Sequence, residues 1–190
     1  AHHDHQKFEI FAFAELEKGD LITQQYKSYV DHWIPTKKMT DDELVEKIRS
    51  MEIDILVDLA GHTKNNRLGI FAQKPAPVSL SWWVGYGYTT GLSAIDYFLT
   101  DTVMVPQGSE HLFSEQPWKL DKYAAAWDPR KNNMGHVHPL PALTNNFITF
   151  GTISTLVNRM TDSSIQVWSQ ILRKVKNSKL IINSMSFTNQ

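Results

Sequence analysis

The chain has 190 residues, of which 42% are hydrophobic and 21% charged, a length and composition that suit one folded domain or slightly more. Its 19 Lys and Arg residues nearly balance its 20 Asp and Glu residues, which argues against nucleic acid or an anionic membrane as the main partner. No cysteine is present, which excludes a disulfide scaffold, a thiolate zinc site and a cysteine nucleophile.

The start of the chain has neither an initiator methionine nor a signal peptide, so we expect the sequence to begin inside a longer protein. No apolar run approaches the ~20 residues that a membrane span needs. Together with the absence of cysteine, these features fit a reducing compartment and predict a cytoplasmic location without membrane attachment.

The first two thirds of the chain alternate segments typical of strands with segments typical of helices. Short segments that are apolar on both faces indicate buried strands, and apolar residues at helical spacing indicate amphipathic helices. Thr40 and Glu43 have the spacing of a capping box, which predicts a helix start. The predicted extended segments are 7–14, 32–35, 53–59, 78–84 and 95–99, and the predicted helices are 21–30, 41–51 and 67–73.

The alternation stops between Trp127 and Asn146, a stretch rich in Pro, Asn and His. It resumes with a strand at 147–151, a helix over 165–175 and a strand at 180–182. Strands that alternate with helices predict an α/β fold with parallel sheets. We therefore divide the chain into a first α/β lobe that lacks its first strand (1–126), a linker (127–146) and the start of a second α/β lobe (147–190).

Three polar segments are predicted to lie at the carboxyl ends of strands, where open α/β sheets bind ligands. His32 could act there as a general base, or it could be a packed, hydrogen-bonded histidine. The segment 61–67 has a glycine turn, a histidine, a hydroxyl and two cations before a helix, which suits a polar ligand but also occurs in ordinary loops. The glycines of 85–91 allow either close approach to a ligand or a tight turn.

The closely spaced histidines near the start of the chain resemble a metal-binding tract. However, no carboxylate stands at a recognised ligand spacing from His2, His3 and His5. The sequence also has no H-E-x-x-H motif and no D-x-D pair of the kind that holds a divalent ion against a nucleotide-sugar diphosphate. We therefore expect no metal site.

Long motifs in the same order and spacing closely resemble the protein O-GlcNAc transferase/SPINDLY family. The second-lobe segments Phe147-Ile-Thr-Phe-Gly151 and Val167-Trp168-Ser-Gln-Ile-Leu172 match this family as well. The first-lobe segments that resemble it are Ile53-Asp-Ile-Leu-Val-Asp-Leu-Ala-Gly-His-Thr-Lys-Asn-Asn-Arg67, Lys74-Pro-Ala-Pro-Val78, Trp83-Val-Gly-Tyr-Gly-Tyr-Thr-Thr-Gly91 and Ala94-Ile-Asp-Tyr-Phe-Leu-Thr-Asp101.

The resemblance implies a glycosyltransferase of the GT-B type, which has two Rossmann-like lobes. It implies that N-acetylglucosamine moves from UDP-GlcNAc to Ser or Thr hydroxyls of proteins, without a metal cofactor. Tetratricopeptide repeats are expected before the catalytic region. Since the first lobe is nearly complete and the second is truncated, we expect this chain alone to be inactive. Two alternatives stay open: a non-catalytic protein-binding or assembly module with the same fold, and a protein O-fucosyltransferase that uses GDP-fucose.

The resemblance also assigns roles to residues of this chain. Asp31-His32-Trp33 is similar to the family's Asp/Asn-His-aromatic site, which makes His32 the catalytic candidate. Asn158 stands where the family often has a lysine on the donor phosphates, so the neighbouring cation Arg159 is the expected phosphate ligand. The residues that resemble the family's sugar and acceptor pocket are His62, Thr63, Lys64, Arg67, Val84, Gly85 and Tyr86.

Overall fold

A computed structural model describes residues 2–82, 88–125, 136–153 and 160–184. It divides into two compact units, Ala1–Trp127 and Asp128–Gln190. Val84, Gly85, Tyr86 and Arg159, four of the predicted site residues, lie outside the described part of the chain.

The described strands of the first unit form two parallel sheets. Strand β1 pairs with β2 in parallel register, with Phe11 opposite His32. The other four strands are parallel in the order β3-β4-β5-β6. The bounds are β1 Phe11–Ala14, β2 His32–Pro35, β3 Ile55–Asp58, β4 Val78–Ser81, β5 Tyr97–Asp101 and β6 Gln116–Leu120.

In the described residues of the first unit, three helices connect the strands: α1 (Leu21–Lys27), α2 (Asp41–Ser50) and α3 (Leu68–Ala72). The capping box of α2 is present as predicted, since the Thr40 hydroxyl accepts from the Glu43 amide and the Glu43 carboxylate accepts from the Thr40 amide. Asp20 and Thr23 form a second capping box on α1. The helix predicted to reach residue 30 ends at Lys27 because Ser28 provides its C-cap.

The core of the first unit lies where α2 and α3 pack together with β3. The apolar face predicted for α2 is confirmed, because Leu44, Val45 and Ile48 are each at most 2% exposed. They pack in one buried cluster with Leu56, Leu68, Ile70, Phe71, Ala76 and Ile95. This packing fixes β3 and α3, and therefore the loop that joins them.

One strand of the first unit was not predicted. β6 lies at the edge of the four-stranded sheet and contains Pro117, a residue that strands tolerate at edges because it donates no hydrogen bond. A 3-10 turn, Glu110–Leu112, precedes it.

The described part of the second unit contains two parallel strands, β7 (Ile148–Ile153) and β8 (Ser178–Asn183), with Ile148 opposite Ser178. Helix α5 (Asp162–Lys174) begins after Thr161, whose hydroxyl accepts from the Ser164 amide. The short helix α4 (Pro141–Asn145) falls inside the predicted linker. Within the described residues, no helix is both long and apolar enough to cross a membrane.

Candidate functional site

The turn after β3 is held by one buried carboxylate. Asp58 is 4% exposed and accepts hydrogen bonds from the amides of Ala60 and Gly61 and from the Ser81 hydroxyl at 2.8 Å. Gly61 has a φ of 50°, in the left-handed region that glycine adopts most easily. Asp58 therefore joins the carboxyl ends of β3 and β4 and sets the direction of the loop that follows.

A cavity of about 340 Å³ opens at these carboxyl ends. Its volume is within the range of small-molecule sites, and its position is the one where parallel sheets bind ligands. Two predicted site residues, His62 and Thr63, are among its lining residues. The full lining is Gly61, His62, Thr63, Ser81, Tyr88, Thr90 and Phe98.

The imidazole of His62 is exposed and belongs to this lining. Its Nε2 lies 3.3 Å from the carbonyl oxygen of Thr89. A carbonyl only accepts, so Nε2 carries the hydrogen of this bond, and in the neutral ring Nδ1 keeps a lone pair. The Thr63 hydroxyl donates to the Ala60 carbonyl at 2.8 Å, and in the described part of the chain Lys64 is exposed and forms no ion pair.

Glu115 holds the opposite side of the cavity and was missed by the sequence analysis. It is 3% exposed and accepts from the Thr90 amide at 2.7 Å, from the Thr90 hydroxyl and from the Thr89 hydroxyl at 2.6 Å. Because Thr89 also bonds His62, Glu115 positions both threonines relative to that histidine. No local signal marks this role, since the partners are 25 and 26 residues apart in the chain.

Arg67 forms most of its hydrogen bonds within the fold. Its Nε donates to Glu15 at 3.1 Å and its Nη1 donates to Asp41. Its Nη2 donates to two carbonyls, those of Thr36 and Met39. Burial alone would lower the pKa of the Arg67 guanidinium. The hydrogen bonds and charges of Asp41 and Glu15 outweigh burial and raise this pKa.

These four bonds use all but one of the five N–H groups of Arg67. Glu15 follows β1 and Thr36 follows β2, so Arg67 ties the loop after β3 to the carboxyl ends of both strands. The structure therefore makes Arg67 a residue that anchors this loop.

His32 does not lie at the carboxyl end of a strand, so that expectation is wrong. It is the first residue of β2, and three residues of strand, about 10 Å at 3.3 Å per residue, separate it from the end that Arg67 holds. The predicted extended segment 32–35 already begins at His32, so its own bounds place this residue at the amino end of the strand.

His32 nevertheless has the surroundings of an oriented base. Its Nε2 lies 2.6 Å from a Glu9 carboxylate oxygen, and its ring stacks on Phe11 at a centroid distance of 4.3 Å. A carboxylate that accepts from Nε2 leaves the lone pair on Nδ1, as in catalytic histidine–carboxylate pairs. The neighbouring Asp31 accepts from the Ile10 amide at 2.8 Å, and this bond is the main cause that lowers the pKa of Asp31.

Comparison with known proteins relates both the sequence and the fold to one group of enzymes. The chain is 35% identical over 190 residues to a protein of Arabidopsis thaliana named a probable UDP-N-acetylglucosamine–peptide N-acetylglucosaminyltransferase SPINDLY, covering 98% of this chain and 20% of that protein. A second Arabidopsis thaliana protein, named a probable UDP-N-acetylglucosamine–peptide N-acetylglucosaminyltransferase SEC, is 29% identical over 187 residues. This match covers 94% of this chain and 19% of that protein.

Among solved structures, a mutant of the Thermobaculum terrenum O-GlcNAc transferase matches with a TM-score of 0.85 and 28% identity, covering 98% of this chain and 35% of that chain. This match confirms the predicted α/β fold with parallel sheets of the GT-B type. The chain spans about a fifth of the length of its curated relatives. Residues 1–126 match the profile of glycosyl transferase family 41, and the chain therefore belongs to this family.

Proposed function

We propose that this chain is part of an enzyme that transfers N-acetylglucosamine from UDP-GlcNAc to Ser or Thr hydroxyls of proteins. The observation that carries the proposal is that residues 1–126 match glycosyl transferase family 41. The cavity at the carboxyl ends of β3 and β4 supports it, because His62, Thr63 and Thr90 offer polar groups there. These are the groups that orient a sugar or a hydroxyl acceptor.

His32 is proposed as the general base of the transfer. The acceptor hydroxyl must lose its proton as the nucleotide leaves, and an imidazole held by a carboxylate suits that step. Glu9 orients His32, and the free Nδ1 is the nitrogen that would take the proton. His62, which lines the cavity, is proposed to bind the sugar or the acceptor without taking its proton.

The remaining groups at the site are assigned by the same proposal. Val84, Gly85, Tyr86 and Lys64 contact the sugar or acceptor, and Arg159 takes the place of a lysine on the donor phosphates. The transfer is proposed to need no metal, in keeping with the absence of a D-x-D pair from the sequence. Tetratricopeptide repeats are proposed to precede the catalytic region and to bind the protein acceptor.

The proposal is tested with the full-length protein and a Ser/Thr peptide. UDP-GlcNAc and GDP-fucose are supplied separately, each with a radiolabelled sugar, and label on the peptide is counted with and without EDTA. We expect label from UDP-GlcNAc that EDTA does not reduce. If only GDP-fucose labels the peptide, the donor is GDP-fucose and not UDP-GlcNAc. If neither donor labels it, a non-catalytic binding module is favoured.

A further inference from the structure

The segment before β1 folds against the start of β2. A tight turn, in which the Asp4 carbonyl accepts from the amides of Lys7 and Phe8 at 2.9 Å each, brings His5 back over the sheet. The Ile10 carbonyl accepts from the amides of Asp31 and His32 at 3.0 Å. This arrangement sets the Nδ1 of His5 3.2 Å from an Asp31 carboxylate oxygen.

A second imidazole completes the cluster. The rings of His3 and His5 have centroids 4.0 Å apart, and one ligand atom from each of His3, His5 and Asp31 lies within 4.8 Å of the others. The Nε2 of His3 is buried and has no hydrogen-bond partner among the described residues. A buried polar atom without a partner is costly, and a cation bound by this nitrogen would remove that cost.

We propose that His3, His5 and Asp31 form a binding site for a divalent transition-metal ion of the zinc class, separate from the cavity after β3. Two imidazoles and one carboxylate are ligands that zinc prefers, at about 2.0–2.2 Å, with a water molecule as the fourth. At that bond length, two ligand atoms of a tetrahedral site lie about 3.3 Å apart. The distance of 3.2 Å between the His5 Nδ1 and the Asp31 carboxylate oxygen already matches this separation. A small movement of His3 would bring its ligand atom to the same distance from the other two.

The environment of Asp31 supports this role. One carboxylate oxygen accepts from the Ile10 amide at 2.8 Å, while the other faces His5. Outer contacts of this kind orient the ligands of metal sites. No metal site was expected here because Asp4, the carboxylate nearest in sequence, does not stand at a recognised ligand spacing from the histidines. The structure supplies a carboxylate from 26 residues further along the chain.

Isothermal titration of the 190-residue chain with ZnCl₂ tests the site, and Co²⁺ absorption reports the coordination geometry. We expect one ion per chain and the intense visible bands of a tetrahedral site. His3→Ala, His5→Ala and Asp31→Asn should each weaken binding by at least about 10-fold, the smallest loss typical of metal-site residues. Asn keeps an oxygen for the Ile10 amide, and circular dichroism in EDTA verifies that each variant is folded.

Two matched controls come from the same segment. His2→Ala removes an imidazole outside the cluster, and Asp4→Asn removes a carboxylate that pairs with Lys7 instead. Both should bind Zn²⁺ as the unchanged chain does. The proposal fails if Zn²⁺ does not bind, if Asp31→Asn binds as tightly as the unchanged chain, or if the control variants weaken binding equally, since a loose histidine tract would then explain it.

Discussion

At the scale of single residues, two histidines have comparable surroundings but different positions. His62 and His111 are both exposed, and each has one ring nitrogen on a backbone carbonyl, at 3.3 Å from Thr89 and 2.8 Å from Gly108 respectively. Only His62 lines the cavity at the carboxyl ends of β3 and β4. The pair therefore separates the effect of losing an exposed imidazole from the effect of losing one at the proposed site.

His62→Ala in the full-length enzyme should lower kcat/KM for GlcNAc transfer by roughly 2- to 10-fold. This corresponds to one hydrogen bond of about 0.5–1.5 kcal/mol, and a group that only holds the substrate should act mainly through KM. Steady-state kinetics with a Ser/Thr peptide provide the measurement. His111→Ala should leave kcat/KM unchanged. If both variants have the same kinetics, His62 does not contact the substrate.

His32→Ala should lower kcat by about 10²–10⁴-fold, as expected for the loss of a general base, with little change in donor affinity. Glu9→Gln should lower kcat less, because an amide oxygen still accepts from Nε2 but stabilises the charged ring less well. Single-turnover rates and donor titration of the same samples separate the two effects. His138→Ala, which removes an exposed imidazole of the second unit, is the control. An unchanged rate for His32→Ala at saturating donor would exclude His32 as the base.

The ion pair between Glu110 and Lys119 gives a pH-dependent contribution to stability. The Lys119 ammonium lowers the pKa of Glu110 from 4.5 to about 2. A carboxyl with a lowered pKa stabilises the fold fully above its unfolded pKa and loses this contribution as the pH falls through its folded pKa. Glu110→Gln should therefore be less stable than the unchanged chain at pH 6, and the difference should shrink between pH 4.5 and pH 2. If the difference in urea midpoint between Glu110→Gln and the unchanged chain stays constant over this range, the ion pair does not contribute to stability as proposed.

At the scale of secondary-structure elements, the capping box of α2 supports the helix whose apolar face forms the core. Thr40→Ala removes the hydroxyl that accepts from the Glu43 amide and should lower the free energy of unfolding by about 1 kcal/mol. Urea denaturation followed by circular dichroism measures this change. Thr40→Ser keeps the hydroxyl and should be nearly as stable as the unchanged chain; an equal loss in both variants would mean that the methyl group, not the cap, matters.

The elements that were predicted correctly have causes within a few residues. The helix start at Thr40 depends on a residue three positions away, and the buried face of α2 follows from helical periodicity. The features that were missed depend on contacts between distant residues. Glu115 reaches Thr90 across 25 positions, and Asp31 reaches His5 across 26. The strand β6 was not predicted, and it contains Pro117, which an edge position tolerates.

At the scale of the whole molecule, the carboxyl ends of several strands are joined by two polar connections. Arg67 links the loop after β3 to residues that follow β1 and β2, through Glu15 and the Thr36 carbonyl. Asp58 links the end of β3 to Ser81 at the end of β4. Because these contacts fix the loop from both sides, we expect the cavity to keep its shape when a ligand binds. This rigidity is what the proposed transfer site requires.

The most direct test of this account is to fill the cavity. Thr63 is an exposed residue of its lining, and Thr63→Trp in the full-length enzyme should occupy the space that the substrate needs. Thr102 is exposed in the turn after β5 and outside the cavity, so Thr102→Trp is the matched control. GlcNAc transfer to a Ser/Thr peptide is measured for both, with melting temperatures to verify folding. The account predicts a loss of about 100-fold or more for Thr63→Trp, the size that a misplaced substrate causes, and full activity for Thr102→Trp. Full activity of a folded Thr63→Trp enzyme would contradict it.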